Sequence, residues 1–475
     1  MDRRGAQDQD VVVVGASVAG LLTAAALARG GRRLTLLDRD DLPDTAEPRT
    51  GVPQGRQPHL LLHRGLRAIE ALLPGFGADL RAAGAVRVDT GDLAWLGVLG
   101  WSPPCRQLEI LLATRPLIEH VLRARVLGLP GVQVVGGTRA TGLRRGDATG
   151  PRWRVDTEPA GWSDGPAGWS TEPDAWGADL VVDASGRASR LPRWLHALGL
   201  PDAPVEGLDA HVGYSTVRVR LPRERVAAKG VVILAAPGVI GGMALPAEDD
   251  VWTVTGFGAG ARRPPRDLPG LREFLGHVRD DSLARVVAAG DVEGDVATHR
   301  QTGNQRHRYD RANPWPDGLL VVGDALCALN PVYGQGMTVA ALMAQAVRAA
   351  DERGPLTAPG AAARVVRECV EAGEAPWQMA TGADRALLGL PGPRSPGAVL
   401  AGRWVGELER LSTHGDTAAQ VTLARVYQLE GAPTTLFHPR LVRRWVRARL
   451  RGYGPPVPRP TVLRDDVSEP VGDGR

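Results

Sequence analysis

The sequence holds a single lysine, Lys229, so nearly all of its 57 basic residues are arginines. It has three cysteines (Cys105, Cys327, Cys369) and no CxxC spacing, which excludes a disulfide scaffold and a zinc cluster and fits a reducing, cytoplasmic setting. No block of like charge occurs: 57 basic and 53 acidic residues interleave to a net +4, with pI near 9.3, which argues against a nucleic-acid face. The uncharged run from Gly230 to Ala247 is 18 residues long, but its glycines and two prolines read as buried strands around a Pro-Gly turn rather than a membrane span. The polar start leads quickly into a strand, with no signal-peptide pattern, so the expectation is a soluble protein. Aromatic residues make up only 4%, a hint at an aliphatic ligand.

What is present is ample apolar material. A hydrophobic content of 43% over 475 residues fills two or three domain cores. VVVVGASVAGLLTAAALARGGRRLTLLDRD reads as strand, tight turn, helix, strand. Gly15 permits the turn, Gly20 permits close helix packing, and small Ser17 replaces the usual middle glycine. Val18 and Ala19 open the helix whose amides would face a pyrophosphate. Asp38 ends the second strand, where a carboxylate accepts from a ribose, and Arg39 follows it. This is a dinucleotide site.

A second half lies far down the chain. LLVVGDALCALNPVYGQGMTVAALMAQAV gives a short strand, Gly323-Asp324, a loop with Pro331, Gly334 and Gly336, and a helix opening at Met337. A second ligand-facing carboxylate, Asp324, suits a ribityl chain, which FAD has and NAD lacks. Between the two halves, Arg49 and Arg56 are placed to neutralise phosphates, and Gly51-Val52-Pro53 to lie against a flat ring. Arg115 stands at a strand–helix junction before Pro116, either reaching a cofactor or solvating the surface. His59 and His63 fall four apart on an expected helix, without a third metal ligand nearby. Trp95 and Trp101 either wall a pocket or fill core. ADLVVDASGRASRLPRWL repeats the opening pattern, with Asp183 near the phosphates and Arg190 towards an incoming anion such as a nicotinamide phosphate; the alternative for Arg187 and Arg190 is a plain helix capped by Ser185.

VQVVGGTRATGL is a strand pair, and Gly161 to Trp176 a surface hairpin or loop. Short strands between Ala210 and Gly258 form a sheet over the ligand, Leu271 to Ala289 is helical, and Thr298 to Asp310 is a basic loop. After Val347 the chain is mainly helical to about Arg449, and from Thr461 it is polar and frayed.

Together these residues resemble FAD-dependent monooxygenases of the p-hydroxybenzoate hydroxylase fold (group A). Their three marks are the glycine fingerprint with Asp38, the middle element at Asp183 to Arg190, and Gly323 to Met337. DASGRAS departs from the usual Asp-Gly pair of the middle element. Within the class the chain is most similar to flavin epoxidases of polyether-antibiotic pathways, of the lasalocid and monensin type, through RTGVPQGR, GW with ATRPL, DASGRASRLPRWL, PWPDGLLVVGDALCALNPVYGQGM and APWQMAT.

The resemblance implies an α/β fold: a Rossmann-like FAD-binding domain, an interleaved β-sheet substrate domain and a helical C-terminal region. The expected boundaries are 1–200 with 296–350 for FAD, 201–295 with contributions from 85–110 for substrate, 351–455 for helices and 456–475 for a tail. It implies that Gly15, Ser17, Val18, Ala19, Gly20, Asp38, Arg39, Arg49, Arg115, Gly323, Asp324, Gly336 and Met337 hold FAD. Val52, Pro331, Gly334 and Gly336 would lie at the flavin face, with no catalytic side chain and no metal required. The implied reaction takes NAD(P)H and molecular oxygen through a flavin 4a-hydroperoxide to epoxidise an alkene of an apolar polyketide or prenylated compound. An aromatic hydroxylase is the alternative. A halogenase would need a WxWxIP motif and a lysine beside the oxidant, and neither is present. A prenyl reductase would leave product without oxygen. Cys327 is expected as a buried thiol rather than a flavin anchor, and no oligomeric state is implied.

Overall fold

Four valines in succession after Asp10 leave neither face of a strand polar, so this strand must be covered on both sides. In the computed structural model, which describes residues 9–29, 31–147, 149–160, 175–390 and 396–464, it is the centre of a five-stranded sheet. Asp10–Val14 is flanked by Leu180–Asp183 and Arg33–Leu37, and these in turn by Leu319–Val321 and Val132–Val135, all parallel. Val11 to Val14 are buried, as is nearly all of the Val18–Leu27 helix that follows.

The register of this sheet matters more than its order. Val14 stands opposite both Leu37 and Asp183, and Asp183 opposite Val321. The strands therefore end level, and Gly15, Ala184 and Val322 leave the sheet at one carboxyl edge. Backbone bonds continue the match past the strands: Ala184 N–H donates to Val14 O (2.8 Å) and Val322 N–H to Asp183 O (3.0 Å). Carboxyl edges of parallel sheets are where ligands lie. The helix Gly336–Arg353 packs across Val18–Leu27, and helix Ala361–Leu387 packs on it in turn, so both chain halves share one core.

A six-stranded sheet lies beyond that edge, in the order Asp291–His299, Val212–Arg220, Val251–Ala259, Gly241–Pro246, Val231–Ile233, Ala94–Leu96. Its pairs are antiparallel except the last, which is parallel. Period-two alternation splits its side chains. Val217, Val219, Val231, Ile233, Ala244 and Val254 pack beneath helices Leu268–Gly276 and Ser282–Ala289. Tyr214, Val232, Met243, Leu245, Thr255 and Phe257 face a cavity on the other side. Beyond residue 353 come helices Ala361–Leu387, Pro396–Thr413, Thr417–Tyr427 and Pro439–Arg451. The expected α/β class, with its second sheet and helical C-terminal region, holds. No helix among the described residues is long and apolar enough to cross a membrane.

Several local expectations need correction. Leu271 to Ala289 is not one helix: it breaks before Ser282, where Asp280 accepts from the Ser282 amide (3.0 Å) and pairs with Arg459 (2.6 Å). VQVV and TRATGL are strands of two different sheets, because Val132–Val135 completes the parallel sheet while Thr138–Arg145 pairs with Trp153–Pro159. Thr298 to Asp310 is not simply a loop: it includes the strand Asn304–His307, and Arg306 is tied to Glu206 (2.7 Å) and Glu374 (2.6 Å). His59 precedes a two-residue strand and His63 begins the next helix, so they do not share a helix face. Residues after Thr461 are not wholly frayed: Val462 and Leu463 are buried in the core of the six-stranded sheet. The hairpin expected at Gly161 to Trp176 lies mostly outside the described residues, as does the tail from 465.

Candidate cofactor and substrate site

The level strand ends open into a cavity of about 1460 Å³ bounded by the parallel sheet, the six-stranded sheet and the C-terminal helices. That exceeds the upper end of about 1,000 Å³ for a single small-ligand pocket, so it has room for two molecules. At the sheet edge Gly15 has φ +104°, and a side chain there would meet Ala184 O at 2.5 Å. Only glycine lets the turn pass so close to the neighbouring strand. Gly20 does not reach the cavity; it packs under the Gly15 carbonyl.

Ser17 is the N-cap of Val18–Leu27, yet its hydroxyl makes no bond to its own helix. It donates instead to Glu119 Oε2 (2.8 Å) and accepts from Arg115 Nη2 (2.8 Å). No side chain caps the amides that begin the helix, and Ser17, Val18 and Ala19 line the cavity, an arrangement that favours an anion. Arg49 comes from the loop beyond the second strand. Its Nε donates to Glu119 Oε1 (2.7 Å), and its Nη1 to Asp38 Oδ1 (3.0 Å) and Asp40 Oδ2 (2.9 Å). Its Nη2 is buried with no partner among the described residues. Asp38 also accepts from the Ala16 and Asp40 amides (2.8 and 3.0 Å), so it braces both the glycine turn and Arg49. Arg39, largely exposed, completes this end of the wall.

Glu119, which sequence reasoning missed, is the hub of this network. Burial alone would raise its carboxyl, but Arg115 and Arg49 hold it below the usual range. For Arg49, burial opposes the charge, while Glu119 and Asp38 more than offset it and raise the guanidinium. The available signal was the four-residue spacing from Arg115 on one helix.

The second half meets this wall directly. Gly323 (φ +63°) leaves so little room that a Cβ there would lie 2.5 Å from Ala19 Cβ. Asp324, next in sequence, faces the cavity without a hydrogen bond among the described residues. Its surroundings raise its pKa through burial, opposed by Arg187 and Arg115. Gly336 opens an 18-residue helix, also without a side-chain cap, with Asp324 Oδ1 3.9 Å from where a Gly336 Cβ would stand. Pro331, Gly334, Gly336 and Met337 line one side of the space, and Gly51, Val52 and Pro53 another.

The loop before Gly334 is anchored from behind. Asp384, fully buried on helix Ala361–Leu387, accepts from Tyr333 Oη (2.6 Å), Asn304 Nδ2 (2.6 Å) and Asn330 Nδ2 (3.0 Å). Burial raises the Asp384 carboxyl against these three bonds. Nothing local in sequence marked Asp384.

The middle element is divided. Asp183 was expected near the phosphates, but it is fully buried and absent from the cavity wall. It accepts from the Ser185 amide (3.0 Å) and from both the Ser185 and Ser189 hydroxyls, so it shapes its own turn. Arg187 and Arg190 do line the cavity. Arg187 donates to the carbonyls of Gly303 and Leu329, which fixes its charge beside Asp324. Arg56 does not line the cavity, whereas Arg115 does. Cys327 is a buried thiol pushed up to about 12 by burial, outside the cavity wall. Among the described residues no group of His, Cys, Asp or Glu is placed to hold a metal.

The far part of the cavity is walled by Leu234, Met243, Phe257, Met379, Val405 and Leu423. Aromatic rings gather here despite their scarcity: Trp95, Tyr214, Phe257, Tyr333 and Tyr427 all face in, with Trp95 edge-on to Tyr427 at 5.7 Å. The low aromatic count is thus no guide to the ligand. Two imidazoles, His59 and His299, also face the space. Burial, with Arg115 nearby, drops His59 to about 3, and burial likewise lowers His299, which lies against Tyr214 at 5.3 Å. Both are neutral bases at ordinary pH.

No family model matches the chain. Over 359 residues it is 32% identical to Protein Rv3254 of Mycobacterium tuberculosis, spanning 73% of this chain and 74% of that protein. It is 29% identical over 356 residues to a protein named Kynurenine 3-monooxygenase of Salinispora tropica, spanning 70% of each. The solved structure of pqsL, described as a probable FAD-dependent monooxygenase from Pseudomonas aeruginosa, superposes with a TM-score of 0.59 at 18% identity, covering 80% of this chain and 97% of that one. At that identity the likeness is one of fold.

Proposed function

The chain belongs to the family of Protein Rv3254 and has the fold of the group A FAD-dependent monooxygenases, and from that premise we propose that it binds FAD and oxygenates an apolar small molecule. The observation that carries this reading is convergence. Two uncapped helix starts, the unpartnered nitrogen of Arg49 and the free carboxylate of Asp324 all meet at one cavity. An unpaired buried guanidinium nitrogen is costly unless an acceptor completes it. A pyrophosphate is such an acceptor, held by Arg49 and by the amides of Val18 and Ala19. Asp324 suits ribityl hydroxyls. Val52, Pro331, Gly334 and Gly336 bound a flat slot of the right chemistry for an isoalloxazine ring, with Met337 behind it.

FAD, when bound, supplies the two-electron reduction by NAD(P)H and the reaction with molecular oxygen that no side chain here performs. The chain's own part is to bind, orient and exclude water. The Asp384 anchor fixes the Pro331–Gly334 loop, and the apolar far walls desolvate the substrate. The finer proposal is epoxidation of a carbon–carbon double bond in a polyketide or prenylated compound, as the epoxidase-like motifs imply. Its support in the cavity is the apolar wall of Leu234, Met243, Phe257, Met379, Val405 and Leu423, none of which can take a proton from a phenol.

Aromatic hydroxylation is the second reading, favoured by His59 and His299. Either neutral imidazole can accept a hydrogen bond from a phenolic hydroxyl and orient it, and the Salinispora relative carries a monooxygenase name. Incubation of the FAD-loaded protein with NAD(P)H under labelled oxygen, against alkene and phenol panels, separates the readings. One labelled atom in an epoxide, or in the diol or ether derived from it, supports the first, and label on an aromatic ring the second. Failure to retain FAD removes both.

A further inference from the structure

The last helix, Pro439–Arg451, reads PRLVRRWVRARLR: six arginines and no acid in 13 residues. One face is spent on the fold, since Leu441 is buried and Trp445 and Ala448 pack with it among the C-terminal helices. A second face is apolar and bare. Val442, Val446 and Leu450 are 39%, 41% and 80% exposed. At about 100° per residue, positions four apart advance by about 40°, so the three form one continuous stripe. Arg443 and Arg447 border the stripe on its outer side. Arg449 borders the inner side, its guanidinium 5.8 Å from the Trp445 ring. Arg444 pairs with Asp416 (2.9 Å), while Arg440, Arg443, Arg447 and Arg451 have no ion pair among the described residues.

We infer that this helix docks the protein on an anionic lipid surface. A bare apolar ridge bordered by unpaired arginines is the pattern that lies in a bilayer interface, with the aliphatic groups at the acyl boundary and the guanidiniums at phosphate level. Other occupants fit less well. A second copy would bring like-charged helices face to face. A nucleic acid would use the arginines and leave the Val442–Leu450 stripe in water. The placement also has a consequence for the cavity: Pro433 and Leu436, just before the helix, are part of its wall. Docking there brings that wall to the lipid, where an apolar substrate partitions. The inference is independent of which reaction the cavity supports.

The test is co-sedimentation of the full-length protein with vesicles of phosphatidylcholine alone or with phosphatidylglycerol added. Binding is expected only to the anionic vesicles, falling as salt rises. Val446→Ser with Leu450→Ser should abolish pelleting while lowering the unfolding midpoint only slightly, because Leu450 is 80% and Val446 41% exposed. Arg443→Gln and Arg447→Gln should each weaken binding by about fivefold. No pelleting with anionic vesicles at low salt overturns the inference. So does undiminished binding by the serine variant, or binding to RNA or an acidic polypeptide in place of vesicles.

Discussion

Arg49 Nε donates to Glu119 Oε1 over 2.7 Å, joining the loop after the second strand to the helix that carries Arg115. Both side chains are buried, and Ser17 and Arg115 converge on the other carboxylate oxygen. The wall that faces a cofactor phosphate is therefore a preassembled charge network. Its arginines are held in place by a carboxylate behind them rather than by the ligand alone.

Glu119→Gln should destabilise the protein by about 3 kcal/mol at neutral pH, because it leaves two buried guanidiniums undercompensated. The sign of the pH dependence follows from the lowered carboxyl of Glu119. Its stabilisation is present above the unfolded value of about 4.3 and is lost as pH falls through the lower folded value. Urea unfolding of both proteins should show a gap at pH 7 that narrows below pH 4. A gap that persists in acid would mean the loss is one of packing rather than charge.

Gly323→Ala should disrupt the junction of the two chain halves, for two separable reasons. The new methyl would lie 2.5 Å from Ala19 Cβ, and φ +63° is strained for alanine. Pairing it with Ala19→Gly relieves the clash and leaves a backbone cost of about 1–2 kcal/mol. The double variant should thus be more stable than Gly323→Ala alone and should recover FAD retention, read by flavin absorbance after gel filtration. Equal stability of the two would refute the contact as the cause.

The parts of this site that were legible in sequence are those whose function lies in the backbone. Gly15, Gly20 and Gly323 are specified by turns and close approaches, which leave a local pattern. The register that brings Gly15 and Gly323 to one edge follows from a parallel sheet of short apolar strands. Glu119 was visible only as a helix partner of Arg115, since nothing in the sequence says that Arg49 arrives at the same carboxylate. Asp384 was illegible because its three donors come from segments far away in the chain. The scarcity of aromatics misled for a related reason, as composition counts rings and the fold gathers them. Asp183 shows the converse: its motif resembled a ligand turn, but Ser185 and Ser189 already satisfy it.

Asp384→Asn keeps the volume but turns an amide towards donors, and should cost about 1–3 kcal/mol. Since burial raises the Asp384 carboxyl, its contribution is fullest below the unfolded value of about 3.9 and declines as pH rises through the folded one. The variant should lose that decline. It should also release Tyr333, and with it the Pro331–Gly334 loop, so limited proteolysis should cut there sooner. Unchanged cleavage would show that Pro331 and Gly334 hold the loop without the anchor.

His59 gives a pH effect of opposite origin, carried by a base rather than a carboxyl. Burial first, then Arg115, takes its imidazole from 6.5 to about 3, while its Nδ1 stays bonded to Gln57 O (2.9 Å). A base whose folded value is lowered destabilises the fold as pH drops below the unfolded value, because the unfolded chain takes up the proton first. At pH 5 the gap amounts to about 2 kcal/mol, taking roughly 1.4 kcal/mol per pH unit below 6.5. His59→Gln has no proton to gain, so its stability should fall less between pH 7 and pH 5, by that amount. The same variant bears on the reaction. If His59 orients a phenol by accepting its hydroxyl's hydrogen bond, the glutamine form loses turnover on phenols and keeps it on alkenes. If the cavity serves alkenes alone, both activities of the variant follow FAD content, and the imidazole is a wall.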